Sequence, residues 1–149
     1  MKRYIKDGEI FVALAKSQAE FPKFEKGKQA YNYKYLDLES ILSQVLPILG
    51  KNGLAVMQEH RAIIQDELPF VLVNSQLCYK DEYIEHSIMF PLGEPNKGSS
   101  EIMQFGSVAT YLRRFALSAM LGIAGGDKDI EQLNDEANDE RNSSTNKLK

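Results

Sequence analysis

Aromatic and cationic residues lie close together in two short segments of the chain. Residues 31–35 read Tyr-Asn-Tyr-Lys-Tyr, and residues 111–115 read Tyr-Leu-Arg-Arg-Phe. Aromatic rings stack on bases, and cationic side chains follow a phosphate backbone. Together they can hold a nucleic-acid single strand without reading its sequence. We therefore take Tyr33, Lys34 and Tyr35, with the second segment, as candidates for nucleic-acid contact.

Each of these features also has a commoner explanation in a globular protein. Tyr33 and Tyr35 alternate as half-buried strand aromatics do, and Lys34 between them fits a solvated position. Arg113 and Arg114 fit surface arginines paired with acidic residues. Only the convergence of the two segments on one chemistry favours nucleic-acid contact.

The second segment falls in what we expect to be the longest helix, from Ile102 to about Ile123. Ser99 or Ser100 is the expected N-cap, and Gly125-Gly126 the expected stop signal. At about 100 degrees per residue, one broad apolar face is expected to pack on the core. It comprises Ile102, Phe105, Val108, Ala109, Leu112, Phe115, Ala116, Ala119, Met120 and Ile123.

A second row of side chains on this helix is polar and is expected to face outward. This polar stripe consists of Gln104, Ser107, Tyr111, Arg114 and Ser118. An amide, hydroxyls, an aromatic ring and a guanidinium together suit phosphate and base contacts.

Arg113 projects elsewhere, between Gly106, Thr110 and Leu117. There it can extend its charge into water, meet an acidic partner or reach a ligand in a groove.

The elements that must position these residues are predicted from periodicity and turn signals. An amphipathic helix is expected over Glu9–Glu20, and a second after Asp37, a good N-cap. Three alternating segments separated by short polar turns predict strands. They are Leu54–Gln65, Phe70–Lys80 and Tyr83–Phe90. The expected class is α+β, with a three-stranded antiparallel meander packed against the long C-terminal helix and the N-terminal helices.

The charges divide the chain into a body and a tail. The net charge is −3, but from Gly125 onward there are 4 Lys and Arg against 7 Asp and Glu, which leaves 14 of each sign before it. We expect one domain over residues 1–126 and an acidic, solvated or disordered tail over 127–149. A neutral body neither supports nor excludes nucleic acid.

Enzymatic and metal chemistry have little support in the sequence. His60 and His86 lie in different predicted strands without a metal-ligand motif, and no phosphate-binding loop is present. Asp127 and Asp129 read more naturally as a solvated helix exit than as a metal pair. We expect no cofactor, no metal and no enzyme, and a nuclease is the least favoured alternative.

No apolar run is long enough to span a bilayer, and the first residues lack the apolar segment of a secretory signal. A cytoplasmic protein is therefore expected.

Several segments together resemble the Erf family of phage recombination proteins. The resemblance covers roughly residues 10–127, and its most specific part lies in the long helix. The segments are Tyr33-Lys34-Tyr35-Leu36-Asp37-Leu38, Gly53-Leu54-Ala55-Val56, the run from Gly106 to Ser118, and Leu121-Gly122-Ile123-Ala124.

This resemblance implies a protein that binds single-stranded DNA and anneals complementary strands without consuming nucleotide, in a bacterial host cell. It further implies homo-oligomeric rings or helical filaments, with an exonuclease and a single-strand-binding protein as possible partners. The core is similar to that of the eukaryotic ring-forming annealing protein. The leading DNA contacts are then Arg113, Arg114 and Lys34, followed by Tyr33, Tyr35, Tyr111, Thr110 and Gln104. A passive single-strand cover or an adaptor stays open as an alternative.

Overall fold

The computed structural model describes residues 1–24, 28–30, 33–94, 98 and 100–124, with the strands at 28–30 and 33–35 described by their backbone. The predicted tail beyond residue 124, with Asp127 and Asp129, lies outside the described residues. The elements follow in the order β1 (Lys2–Tyr4), α1 (Glu9–Glu20), β2 (Lys28–Ala30), β3 (Tyr33–Tyr35), α2 (Leu38–Lys51), β4 (Leu54–Gln65), β5 (Leu68–Tyr79), β6 (Glu82–Pro91) and α3 (Glu101–Leu121).

The main sheet is antiparallel and has four strands in the order β1-β6-β5-β4, so the fold is α+β. The prediction of a three-stranded sheet is therefore wrong in number, because β1 pairs along the outer side of β6 through Tyr83, Ile84 and Glu85. A three-residue strand whose side chains are all exposed carries too little alternation to be predicted. Strands β2 and β3 form a separate two-stranded hairpin.

Two-residue turns connect β4 to β5 and β5 to β6. Asp66 and Glu67 both have positive φ, 50° and 63°, as in a type I′ turn, and Lys80 in the second turn has φ 52°. Such turns twist in the same sense as the strands, so the pairing of β4 with β5 continues from Leu54 to Gln65.

All three helices pack on one face of the sheet. Val71, Val73, Ser75 and Leu77 of β5 point toward them and are fully buried. The N-terminal half of α3 covers the Val71 end of this row, and its C-terminal half is enclosed together with α1 and α2 in a second cluster. The C-terminal half of α3 is therefore covered on two sides.

The caps of two helices confirm the sequence expectation. The side chain of Asp37 accepts a hydrogen bond from the Ser40 amide at 2.9 Å, and the side chain of Ser100 accepts one from Met103. The end of α3 differs, because Gly122, with φ 70°, stops the helix before Gly125-Gly126. The Ile123 amide then donates to the Ser118 carbonyl at 2.9 Å, so Ile123 turns back into the core.

No helix in the described part of the chain has the length and apolar character needed to cross a membrane.

The buried carboxylate of Glu82 holds the N-terminal segment against the sheet. Gly8, the N-cap of α1, has no capping side chain, and Glu82 supplies the missing acceptor from the start of β6. One oxygen accepts from the amides of residues 6, 7 and 8 at 2.7–2.8 Å, and the other accepts from Ile10 at 2.7 Å. Burial alone would raise the pKa of Glu82, but the four amide donors lower it from 4.5 to about 2.

Replacing Glu82 by Gln is expected to lower the free energy of unfolding at neutral pH, because an amide cannot accept four hydrogen bonds. Since the folded-state pKa is depressed, the stabilisation is complete above about pH 4.5 and is lost as pH falls toward 2. Urea unfolding of both proteins at pH 7, 4.5 and 3 tests this, with Glu85→Gln on the same strand as control. Equal loss of stability with pH in the wild type and Glu82→Gln would contradict it.

Candidate nucleic-acid interface

Arg114 is buried, with 9% of its surface exposed, whereas Arg113 is partly exposed. The expectation that Arg114 faces outward in the polar stripe is therefore wrong. The backbone at Leu36 lies against the Arg114 guanidinium. A helical wheel drawn for α3 alone cannot show a neighbour from another part of the chain.

The guanidinium of Arg114 joins the two segments with which the sequence argument began. Its Nη1 donates to the Leu36 carbonyl at 3.2 Å, directly after the Tyr33–Tyr35 strand. Its Cζ lies 5.0 Å from the ring centre of Tyr111 and 5.6 Å from that of Phe115. A buried arginine in contact with two rings and a carbonyl fixes all three neighbours relative to α3.

Tyr111 and Phe115 form an exposed aromatic platform above this arginine. Their ring centres are 4.6 Å apart with planes inclined by 35°, and the residues are 53% and 39% exposed. The placement of Phe115 in the core by the sequence is wrong, because α3 presents this side of its middle turns to solvent. The guanidinium of Arg114 packs against both rings.

The polar stripe extends beyond the platform in both directions. At one end, Gln104 donates through Nε2 to the carbonyls of Gly93 and Glu94, while its Oε1 is buried without a partner among the described residues. At the other end, the Ser118 hydroxyl is buried and has no hydrogen-bond partner in the described part of the chain, so this end does not face outward as predicted. From Gln104 to Ser118 the stripe spans about 21 Å at about 1.5 Å per residue. The stripe is therefore open to solvent around Ser107 and Tyr111 and closed at Ser118.

Arg113 and Thr110 lie on a different side of α3. The Arg113 Nε donates to Gln58 Oε1 at 3.4 Å, and the Gln58 amide donates to the Arg113 carbonyl and to Ser75 Oγ. Thr110 is exposed, and its hydroxyl donates to the Gly106 carbonyl. Because Tyr111 and Arg113 are about 160 degrees apart around the helix, they cannot contact the same nucleotide from one direction.

The β2–β3 hairpin carries the remaining predicted residues. Lys34 is paired by its backbone with Gln29, and β3 leads directly into the Leu36 carbonyl that Arg114 holds. The side chains of Tyr33, Lys34 and Tyr35 lie outside the described residues. The structure thus places Gln104, Tyr111 and Arg114 in one row, with the hairpin entering beside it, and separates Thr110 and Arg113 from them.

Sequence reasoning assigned Phe115 to the core face of α3 and missed Gln58 as part of this region. The Phe115 position follows the i, i+4 spacing from Tyr111, which was available as a signal, whereas the Gln58 contact depends on the sheet register. Within the part of the chain that the structure describes, no three His, Cys, Asp or Glu side chains are grouped to hold a metal ion.

Arg114→Ala is expected to reduce the free energy of unfolding by about 1.5–3 kcal/mol, because it removes a hydrogen bond from a buried charged donor. Arg113→Ala, whose bond to Gln58 is longer and less buried, is expected to cost about 0.5–1.5 kcal/mol. Urea titrations of both variants measure the difference. A smaller loss for Arg114→Ala than for Arg113→Ala would show that the Leu36 contact does not stabilise the fold.

Comparison with known proteins identifies the chain at the level of its family. No curated protein and no solved structure matches it. The family model described as ERF superfamily matches residues 10–149, which covers the described helices from Ile10 onward and the described strands after β1. The recognition made from the Tyr33–Leu38 segment and the Gly106–Ser118 run is thereby confirmed, and the chain belongs to the ERF superfamily.

Proposed function

We propose that this protein binds single-stranded DNA along the polar stripe of α3 and anneals complementary strands in phage or prophage recombination. The observation that carries the proposal is the exposed Tyr111–Phe115 platform resting on the buried guanidinium of Arg114. Membership of the ERF superfamily supports a recombination role at a coarse level.

The platform suits unpaired bases more than a duplex. A base can stack on an exposed ring only when its own face is free, which is the case in a single strand. Stacking is tolerant of sequence, because every base has an aromatic face. Binding through the platform therefore retains strands of any sequence, as an annealing protein must.

Cationic contact is assigned to Lys34 and Arg113, with Arg114 acting mainly from beneath the platform. Lys34 is carried by the hairpin that enters beside the polar stripe, and Arg113 lies on the other flank of α3. These few charges hold the backbone locally, so a neutral body is compatible with DNA binding. A ring or filament repeats the contact many times, and avidity replaces strong single contacts.

The mechanism makes and breaks no covalent bond. Phosphates and some base faces are held by the protein, while base edges are left free to test a complementary strand. Annealing is then faster because the strands meet extended rather than self-paired. No nucleotide is consumed in this scheme, and the protein acts in the bacterial cytoplasm, alongside an exonuclease and a single-strand-binding protein.

Tyr111→Ala is expected to weaken binding of a labelled oligothymidine by about 1–3 kcal/mol, roughly 5- to 150-fold, through loss of one stacked base. Tyr111→Phe keeps the ring and is expected to retain the affinity. Fluorescence anisotropy measures both. Phe11→Ala on α1, an equally exposed aromatic away from the polar stripe, is the control. Equal affinities for Tyr111→Ala and Phe11→Ala would show that the platform does not contact the bound DNA.

Mixing two complementary labelled strands with the full-length protein separates an annealer from a passive cover. We expect pairing to be faster than for the strands alone, without added nucleotide. In a separate salt titration of binding, Arg113→Gln is expected to lower the slope of log binding constant against log salt concentration by about 1. Slower pairing would identify a cover, and cleavage of the strands with magnesium would identify a nuclease.

A further inference from the structure

Strand β4 forms one edge of the main sheet and is open along its whole outer side. It pairs with β5 without interruption over twelve residues, contains no proline, and has no second neighbour among the described strands. The half of β4 that ends at Gln65 is the more exposed, and Ile64 within it is 72% exposed. A long, regular edge with unpaired amides and carbonyls is a template for another strand.

The opposite edge of the sheet is open at the same end. β1 covers β6 only at Tyr83, Ile84 and Glu85, so the outer side of His86–Pro91 faces no strand that the structure describes. Exposed apolar side chains lie on this uncovered part as well, with Met89 44% and Phe90 56% exposed. Both edges thus combine unpaired backbone with exposed apolar groups.

The two open edges stand level with each other across the sheet. Arg61 of β4 and Met89 of β6 both pair with Leu72 of β5, so they lie at the same height along the strands. Ile63 and Pro91 likewise both pair with Phe70. A neighbouring copy placed beside the first therefore brings its β4 to β6 with little displacement along the strands. Ile64 then lies on the same face as Phe90 and within two residues of its level.

We propose that a second copy of this chain pairs residues 58–63 of its β4 with residues 86–91 of β6, beyond the part of β6 that β1 covers, joining the two sheets side by side. A strand edge is recognised by another strand, and one molecule carries both halves of this interface. β4 and β6 run in the same direction, because each is antiparallel to β5, so the new pairing is parallel.

The interface leaves an open β4 on one copy and an open β6 on the other. Such a head-to-tail contact propagates, and the twist of the sheet rotates each copy relative to the last, which leads to a ring or a helical filament. The inference rests on the oligomeric part of the proposed function and names the surfaces that form it.

Light scattering of the full-length protein tests the interface through two charge variants. Ile64→Lys and Phe90→Glu are each expected to shift the wild-type oligomer to monomer, since a charge would be buried beside the new strand pair. When the two variants are mixed, an introduced lysine faces an introduced glutamate in every second interface and the other interfaces are wild type, so assembly is expected to return. Ile102→Lys is the matched control, because Ile102 is 74% exposed but lies on α3 rather than at an edge.

Circular dichroism confirms that each variant is folded, and oligothymidine binding is measured in parallel. A wild-type monomer with and without DNA overturns the interface, as does an oligomer that persists in both edge variants. Loss of assembly in both variants without return on mixing also overturns it. A wild-type oligomer that binds no single-stranded DNA would reject the DNA-binding function while leaving the interface supported.

Discussion

A charge that is removed from water must find partners inside the protein, and the guanidinium of Arg114 imposes this constraint on the candidate site. Among its partners are the Leu36 carbonyl, which precedes α2, and the two rings of α3. Because those contacts occupy the inner faces of Tyr111 and Phe115, the outer faces are left to solvent. The exposed platform and the entry of the β2–β3 hairpin are both consequences of one buried charge.

The same contact gives the two arginines different tasks. Arg114 is enclosed, so in the proposed function it acts on DNA through the rings that it supports and the segment that it anchors. Arg113 is bonded to Gln58 over a longer distance, next to the Thr110 side of the helix. Adjacent positions in the sequence thus belong to two surfaces, one aromatic and the other polar.

Much of the fold could be predicted from the sequence, because local patterns determine it. The turns after Gln65 and Tyr79 and the alternation of β5 predict the long strands, and Asp37 and Ser100 mark the starts of their helices. The burial of Arg114 could not be predicted, since it depends on which segment crosses α3, whereas the i, i+4 spacing of Tyr111 and Phe115 already indicated that their rings meet. The β1 strand is likewise defined by the neighbour it joins rather than by its own three residues.

The capping of α1 by Glu82 also has a consequence for the order of events during synthesis. Helix α1 emerges from the ribosome with its first amides unsatisfied, because Gly8 has no side chain to cap them. The acceptor that completes this end lies more than seventy residues later, at the start of β6. The contact that caps α1 can therefore form only after Glu82 has been synthesised, so it is a long-range contact of the nascent chain.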